Sequence, residues 1–209
     1  VSWGGEIHLY MRIAEKDRNI LEAAFSSYYP DVELIKIEDY AIFDPRFPKT
    51  TQELYAGGRE MWGCDINLAR ESAYPIKTYV DFESGGEEGR IDPISSMIEV
   101  LNTIAKEEIY CLQIVSVPKG NDWGDEWKDL VKELRTPETK KIKKGDDEVE
   151  VPIERTPGQT NVLKAVENNL SKRAFDVQIR MLYIYPPQTM STSHAKGVGG
   201  ALNQYSALD

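Results

Sequence analysis

The residues with the most obvious chemistry in this chain are its acids. Asp and Glu number 35 among 209 residues, against 25 Lys and Arg, for a net charge of −10. They cluster as Glu38–Asp39, Asp81–Glu83, Glu87–Glu88 and Asp122–Asp125–Glu126. Carboxylate pairs of this kind serve as acid/base couples or hold a divalent cation. At this density such clusters also arise by chance, and Glu87 and Glu88 stand in a Gly-rich turn where solvent claims them. Solvated surface is the favoured reading for each cluster, so no catalytic, cofactor-binding or metal-ligating residue is assigned from them.

Lys140, Lys141, Lys143 and Lys144, in KKIKK, form the one dense basic run. Lysines spaced in this way track a phosphate backbone, and these four are the candidate nucleic-acid-binding residues. The GDDEVE that follows nearly cancels their charge, and no aromatic residue interleaves them. A solvated charged loop or exposed hairpin over 135–156 is the competing reading. The acidity of the whole chain argues against its being a main grip on duplex DNA, whose affinity comes largely from phosphate neutralisation.

His8 and His194 have no neighbouring Cys or Ser that would make a nucleophilic pair. His8 reads as a surface or subunit-contact residue. Cys64 and Cys111 are far apart and form no CxxC, so no zinc-site spacing exists. Cys111 lies within IYCLQIVSV, where a free thiol acts as a small hydrophobe. A reducing compartment is the default for such cysteines. GxxxxGK[ST], GxGxxG and GxSxG are all absent, and AKGVGGA (195–201) reads as a permissive loop. Trp123 and Trp127, four apart, read as core or domain interface rather than a base-stacking platform. No run of about 18 apolar residues exists, so nothing in the sequence spans a membrane as a helix.

The elements that would position these groups follow from hydrophobic period. In EIHLYMRI, Ile7, Leu9, Met11 and Ile13 alternate with polar residues, which predicts a strand. EKDRNILEAAFSSYYP predicts a helix with Ile20, Leu21, Ala24, Phe25 and Tyr28 on one stripe. VELIKIEDY predicts a second strand, making β-α-β. Residues 41–63 read as a long loop with at most one short turn of helix. DINLARES and YPIKTYVDFE predict a strand broken near Pro75. DPISSMIEVLNTIAKEE predicts a helix capped by Asp92 with Pro93 in its first turn. IYCLQIVSV, apolar on both faces, predicts a strand near a sheet centre.

This order is that of a ferredoxin-like split β-α-β sandwich over residues 6–117, within an α+β fold. Residues 118–209 read as a second, smaller α/β unit. It contains the charged 135–156 stretch, a helix opened by the Thr156/Gln159 capping box, and a strand in FDVQIRMLYIY. The tail enters a further helix.

SWGGEIHLYMR and RNILEAAFSSYYPDVELIKIEDY resemble the region ahead of the ATPase domain in type IV secretion and conjugative-coupling-like P-loop ATPases of small-genome bacteria. Gly4–Gly5–Glu6–Ile7–His8–Leu9–Tyr10, Glu22–Ala23, Tyr29–Pro30 and Glu38–Asp39–Tyr40 carry the likeness. So do Lys172, Phe175, Ile179, Arg180 and Tyr183 in LSKRAFDVQIRMLYI. The resemblance implies a membrane-tethered segment before Val1 and a nucleotide-binding domain after Asp209. ATP and Mg²⁺ would belong to that downstream domain and to no residue here.

It further implies a homo-oligomer at the cytoplasmic face of the cell membrane, with secretion-system proteins and nucleic acid as partners; without it the expectation is simply cytoplasmic. The chain then has an assembly and positioning role in secretion, conjugation or DNA transfer. Two alternatives come from the residues alone. One is a stand-alone metal-dependent enzyme using Asp81, Glu83, Glu87 and Glu88. The other is a single-stranded nucleic-acid-binding module using KKIKK.

Overall fold

The computed structural model describes residues 1–83, 92–144 and 147–207. The chain is α+β. A five-stranded sheet has the order β2-β1-β4-β7-β3, where β1 is Ser2–Trp3, β2 Glu6–Ile7, β3 Glu60–Ile66, β4 Ile109–Pro118 and β7 Phe175–Tyr185. A separate hairpin pairs β5 (Thr139–Lys144) with β6 (Asp147–Pro152). Among the described residues no helix is long and apolar enough to cross a membrane.

The contacts divide the chain into two units. The first comprises Val1–Gly63, Ile98–Cys111 and Leu182–Ala195. The second comprises Cys64–Met97, Leu112–Met181 and Lys196–Asp209.

In the first unit the chain opens as a hairpin. Trp3 stands opposite Glu6, and Gly4 and Gly5 make the two-residue turn with φ of 59° and 91°. Both angles are positive, as a type I′ hairpin turn requires. Space demands glycine here as well. A Cβ on Gly4 would sit 2.6 Å from the Lys106 carbonyl oxygen, and one on Gly5 2.8 Å from that of Asn102. The hairpin is thus pressed against the 102–106 loop, and Gly4 N donates to Glu108 O at 2.9 Å. β1 then pairs antiparallel with the start of β4, Ser2 opposite Tyr110 and Trp3 opposite Ile109. Trp3, Leu54, Ile109, Cys111 and Ile184 form the core of this unit.

Beyond His8, which still exchanges hydrogen bonds with Val1 at 2.7 and 2.8 Å, the predicted strand loses its partner. Residues 8–14 and 31–39 carry no ladder, although the helix between them forms as expected, α1 being Arg18–Tyr28. Two ion pairs relate the flanking segments, Arg12 to Asp39 at 3.5 Å and Glu15 to Lys36 at 3.0 Å. Three residues forward on one side match three residues back on the other, so the segments run antiparallel. The parallel β-α-β expected from the sequence is therefore not what forms. Alternation marks which side chains share a face but supplies no neighbouring strand. No residue of α1 is buried.

The 41–63 stretch holds two short helices, α2 (Tyr40–Phe43) and α3 (Thr51–Ala56), before β3 begins at Glu60. Thr50 caps α3 by accepting from Glu53 N at 3.1 Å.

In the second unit, YVDFE folds as a helical turn, α4 (Tyr79–Glu83), rather than a strand. The Asp81 carboxylate accepts from Thr78 N and Oγ1, a local bond that closes the turn against the alternating pattern. Of the expected strand only Ile76 pairs, as a single bridge to Ser206. Helix α6 (Lys128–Arg135) follows a 3-10 turn holding both tryptophans, and Trp123 Nε1 donates to Lys172 O at 2.8 Å. Helix α7 (Pro157–Leu170) has the full capping box from Thr156 and Gln159. AKGVGGA is helix, not loop: it lies in α8 (Thr192–Leu202). A Cβ on Gly199 would stand 3.2 Å from Met181 Cε, so the glycine permits close packing there.

Helix α5 (Ser95–Asn102) starts where Asp92 accepts from Ile94 N at 2.9 Å. Of its predicted stripe, Leu101 and Ile104 are buried, while Ile94 and Ile98 are exposed. Strands β4 and β7 are likewise buried at one end only: Ile109, Tyr110 and Cys111 of β4, and Met181, Tyr183, Ile184 and Tyr185 of β7.

Candidate functional site

Among the described residues the carboxylate of Glu108 is fully withdrawn from water: its side chain has no exposure. It is held in the first unit by residues from three elements. Tyr183 of β7 donates its hydroxyl to Oε1 at 2.7 Å. Ala105 N donates to Oε2 at 2.8 Å, from the loop that Gly4 and Gly5 press upon. His194, near the start of α8, brings Nδ1 to 3.4 Å from both Oε2 and the Tyr183 oxygen. Tyr110 packs its ring 5.7 Å from that of Tyr183 and reaches the Ala195 carbonyl with its hydroxyl at 3.4 Å.

A buried carboxylate is costly unless hydrogen-bonded, and Tyr183 and Ala105 N supply two such bonds. Burial, and then the bond to Glu108, push the Tyr183 phenol above its ordinary value. Tyr183 therefore stays protonated and acts as a donor, not as a base. The sequence expectations assign Glu108 no role; the signal available was its position directly before the apolar run that opens β4.

Beside this trio lies a cleft of about 630 Å³, entirely within the first unit. Its floor includes Trp3, which anchors an aromatic cluster. Tyr40 and Phe47 meet the indole edge-on at 5.9 and 6.3 Å, and Tyr10 stacks on Tyr40 at 4.7 Å. Trp3 Nε1 donates to the Tyr10 hydroxyl at 3.3 Å. The Arg46 guanidinium lies 4.3 Å over the indole, a cation–π contact. Glu6, Arg59, Lys106, Glu107, Glu108 and Gln188 complete the polar part of the lining.

The sequence-predicted groups are dispersed. Lys140, Lys141, Lys143 and Lys144 lie along β5, opposite Val151, Glu150, Glu148 and Asp147 of β6. Lys141 Nζ is 3.6 Å from Glu148, so the register sets acids against lysines. Asp39 caps α2, accepting from Ala41 N at 3.0 Å. Asp125 pairs with Lys128, and Glu126 accepts from Lys119 and Trp127 Nε1. Glu83 lies at the end of α4, and Glu87 and Glu88 fall outside the described residues. Among the described residues no three His, Cys, Asp or Glu side chains converge as a metal site. His8 pairs with Glu6 at 3.0 Å and stacks on Tyr10. Cys64 is exposed and Cys111 buried, both as free thiols.

No curated protein and no solved structure matches this chain. A family model does, over residues 2–209, and the chain accordingly belongs to the family described as a domain of unknown function, DUF8128.

Proposed function

We propose that this chain is a non-catalytic assembly and positioning region of a membrane-associated type IV secretion or DNA-transfer ATPase, and that its partners include further copies of itself. The observation that carries this reading is the uncovered apolar surface of residues 8–39. Leu9 is 95% exposed, Tyr28 80%, and Ile20 and Ile35 71% each. Among the described residues, exposed large apolar side chains outnumber buried apolar ones two to one. Isolated exposed apolar residues are ordinary, but a helix and two flanking strand-patterned segments without one buried side chain mark a contact surface. Its aromatic content, with Tyr28 and Tyr29 at the helix end, suits an interface core.

On this reading the ferredoxin-like sandwich over residues 6–117 is the finer fold assignment, supported there by the step from α5 into β4. ATP and Mg²⁺ belong to a domain outside these residues, and the cytoplasmic face of the membrane is the site of action. The test is sedimentation of the chain with and without the ATPase domain that the proposal places after it. Concentration-dependent association is expected, weakened by replacing Leu9 and Ile35 with Asn. Monomers in both cases at high concentration would remove the assembly role.

A further inference from the structure

We propose that residues 32–37 pair antiparallel with the same residues of a second copy, so that two chains share a short β-ribbon about a twofold axis. The inference rests on the assembly reading above and names which part of that surface meets which.

The stretch reads VELIKI, and all six of its residues are exposed. Val32, Ile35 and Ile37 are β-branched, the type that strands favour. Among the described residues, the backbone N–H and C=O groups of residues 33–37 make no backbone hydrogen bond. The 8–14 segment beside them supplies none, since no ladder forms there. Exposed, strand-patterned backbone of this kind is a template for another strand.

What selects a second copy as that strand is the order of residue types. Set antiparallel to itself, the stretch places Val32 opposite Ile37, Leu34 opposite Ile35 and Glu33 opposite Lys36. Every apolar side chain then meets an apolar one. The acid meets the base twice, because a twofold axis repeats each contact. A shift of one residue in either direction sets both Glu33 and Lys36 against aliphatic side chains. A parallel copy in register sets Glu33 on Glu33 and Lys36 on Lys36, and like charges directly opposite repel. Charge and apolar matching therefore favour the same register.

Both ends of the stretch are defined. Asp31 lies in the turn that Val32 N closes on Tyr29 O at 3.1 Å, outside the paired run. At the other end Asp39 accepts from Ala41 N and starts α2. A run of this length is an ordinary strand. Lys36 already lies 3.0 Å from Glu15, but both side chains are mostly exposed, so that pair is weak and leaves Lys36 able to meet a second acid.

Two charge reversals test the pairing by sedimentation of the full chain. Glu33→Lys alone sets like charges opposite each other at both symmetric contacts, and so does Lys36→Glu alone. Each should weaken self-association about tenfold or more. Mixed in equal amounts, the two variants should associate with each other about as tightly as the unaltered chain does with itself, because each offers the charges the other lacks. Both positions are exposed, so circular dichroism should show unchanged folds. A variant that acts only within its own chain, through Glu15 for instance, is not rescued by mixing. Failure of the mixture to associate therefore overturns the antiparallel register. Self-association untouched by either reversal overturns the pairing and leaves the assembly reading standing. An unaltered chain that stays monomeric at high concentration overturns both.

Discussion

Removing one oxygen tests the buried trio. In Tyr183→Phe the ring remains, so no sizeable cavity opens, but Glu108 loses the 2.7 Å bond to Oε1. The carboxylate has no exposure with which to recruit water, leaving it Ala105 N and the longer contact to His194. A hydrogen bond to a charged group contributes about 1.5–3 kcal/mol, so a loss near 2 kcal/mol is expected. With a urea dependence of about 2 kcal/mol per molar, the midpoint falls by about 1 M.

A second variant isolates the charge. In a Glu108→Gln background the acceptor is neutral, and the same deletion should cost about 1 kcal/mol, leaving a coupling near 1 kcal/mol. Urea unfolding of the four proteins by fluorescence closes the cycle. A midpoint shift below about 0.2 M in Tyr183→Phe, or an equal loss in both backgrounds, would refute the account. The pH dependence has a defined sign. Burial and the Glu108 bond raise the folded-state value of Tyr183 above its unfolded one. Its contribution is complete below about pH 10 and declines as pH rises beyond that.

Two further expectations concern the first unit. Gly4→Ala meets both a φ of 59° and a carbonyl 2.6 Å from the new methyl, whereas Gly58→Ala has a φ of 66° and open space. The left-handed conformation alone costs about 1–2 kcal/mol and overpacking about 1–3 more, so Gly4→Ala should lower the melting temperature about 1.5 to 4 times as far. Equal shifts would contradict the close approach of the hairpin to the 102–106 loop. Burial pushes the Cys111 thiol up to about 11, leaving roughly 0.1% thiolate at pH 8. Exposed Cys64 should react first with a disulfide reagent, and Cys111 only after unfolding. Because the Cys111 value is raised on folding, its contribution to stability is lost as pH rises from about 9 through 11. Two equally fast thiols would mean that the core around Trp3 is open.

What was legible in the sequence was what neighbouring residues decide. Thr156 and Gln159 are three apart, and their capping box formed as the spacing says. Asp92 stops the chain and starts α5 by the same local logic. Failure came where a pattern needed a distant partner or a local bond overruled it. YVDFE alternates, but the Thr78–Asp81 bonds favour a turn of helix. AKGVGGA is rich in the poorest helix formers after proline, and helix wins in a segment where Gly199 packs against Met181. The trio joins Glu108 to residues 75 and 86 positions away in sequence, a convergence that no window of sequence displays.

The same reasoning explains why residues 8–39 read as β-α-β and yet carry no ladder. Their alternation is real: Leu9, Met11 and Ile13 share a face, and all three are exposed. Selection of a strand pattern in a segment with no strand neighbour is uneconomical for a molecule that works alone, since unsatisfied edges and apolar faces invite aggregation. It is economical if another surface covers them. Burying Leu9, Ile20, Tyr28 and Ile35 would contribute about 1.5–3 kcal/mol each before ordering costs. Of a total of about 6–12 kcal/mol, an association cost of about 4 kcal/mol or more leaves at most micromolar affinity. The antiparallel pairs Arg12–Asp39 and Glu15–Lys36 already hold the two segments side by side. They thereby lower slightly the entropy that docking of a partner on these segments would have to overcome.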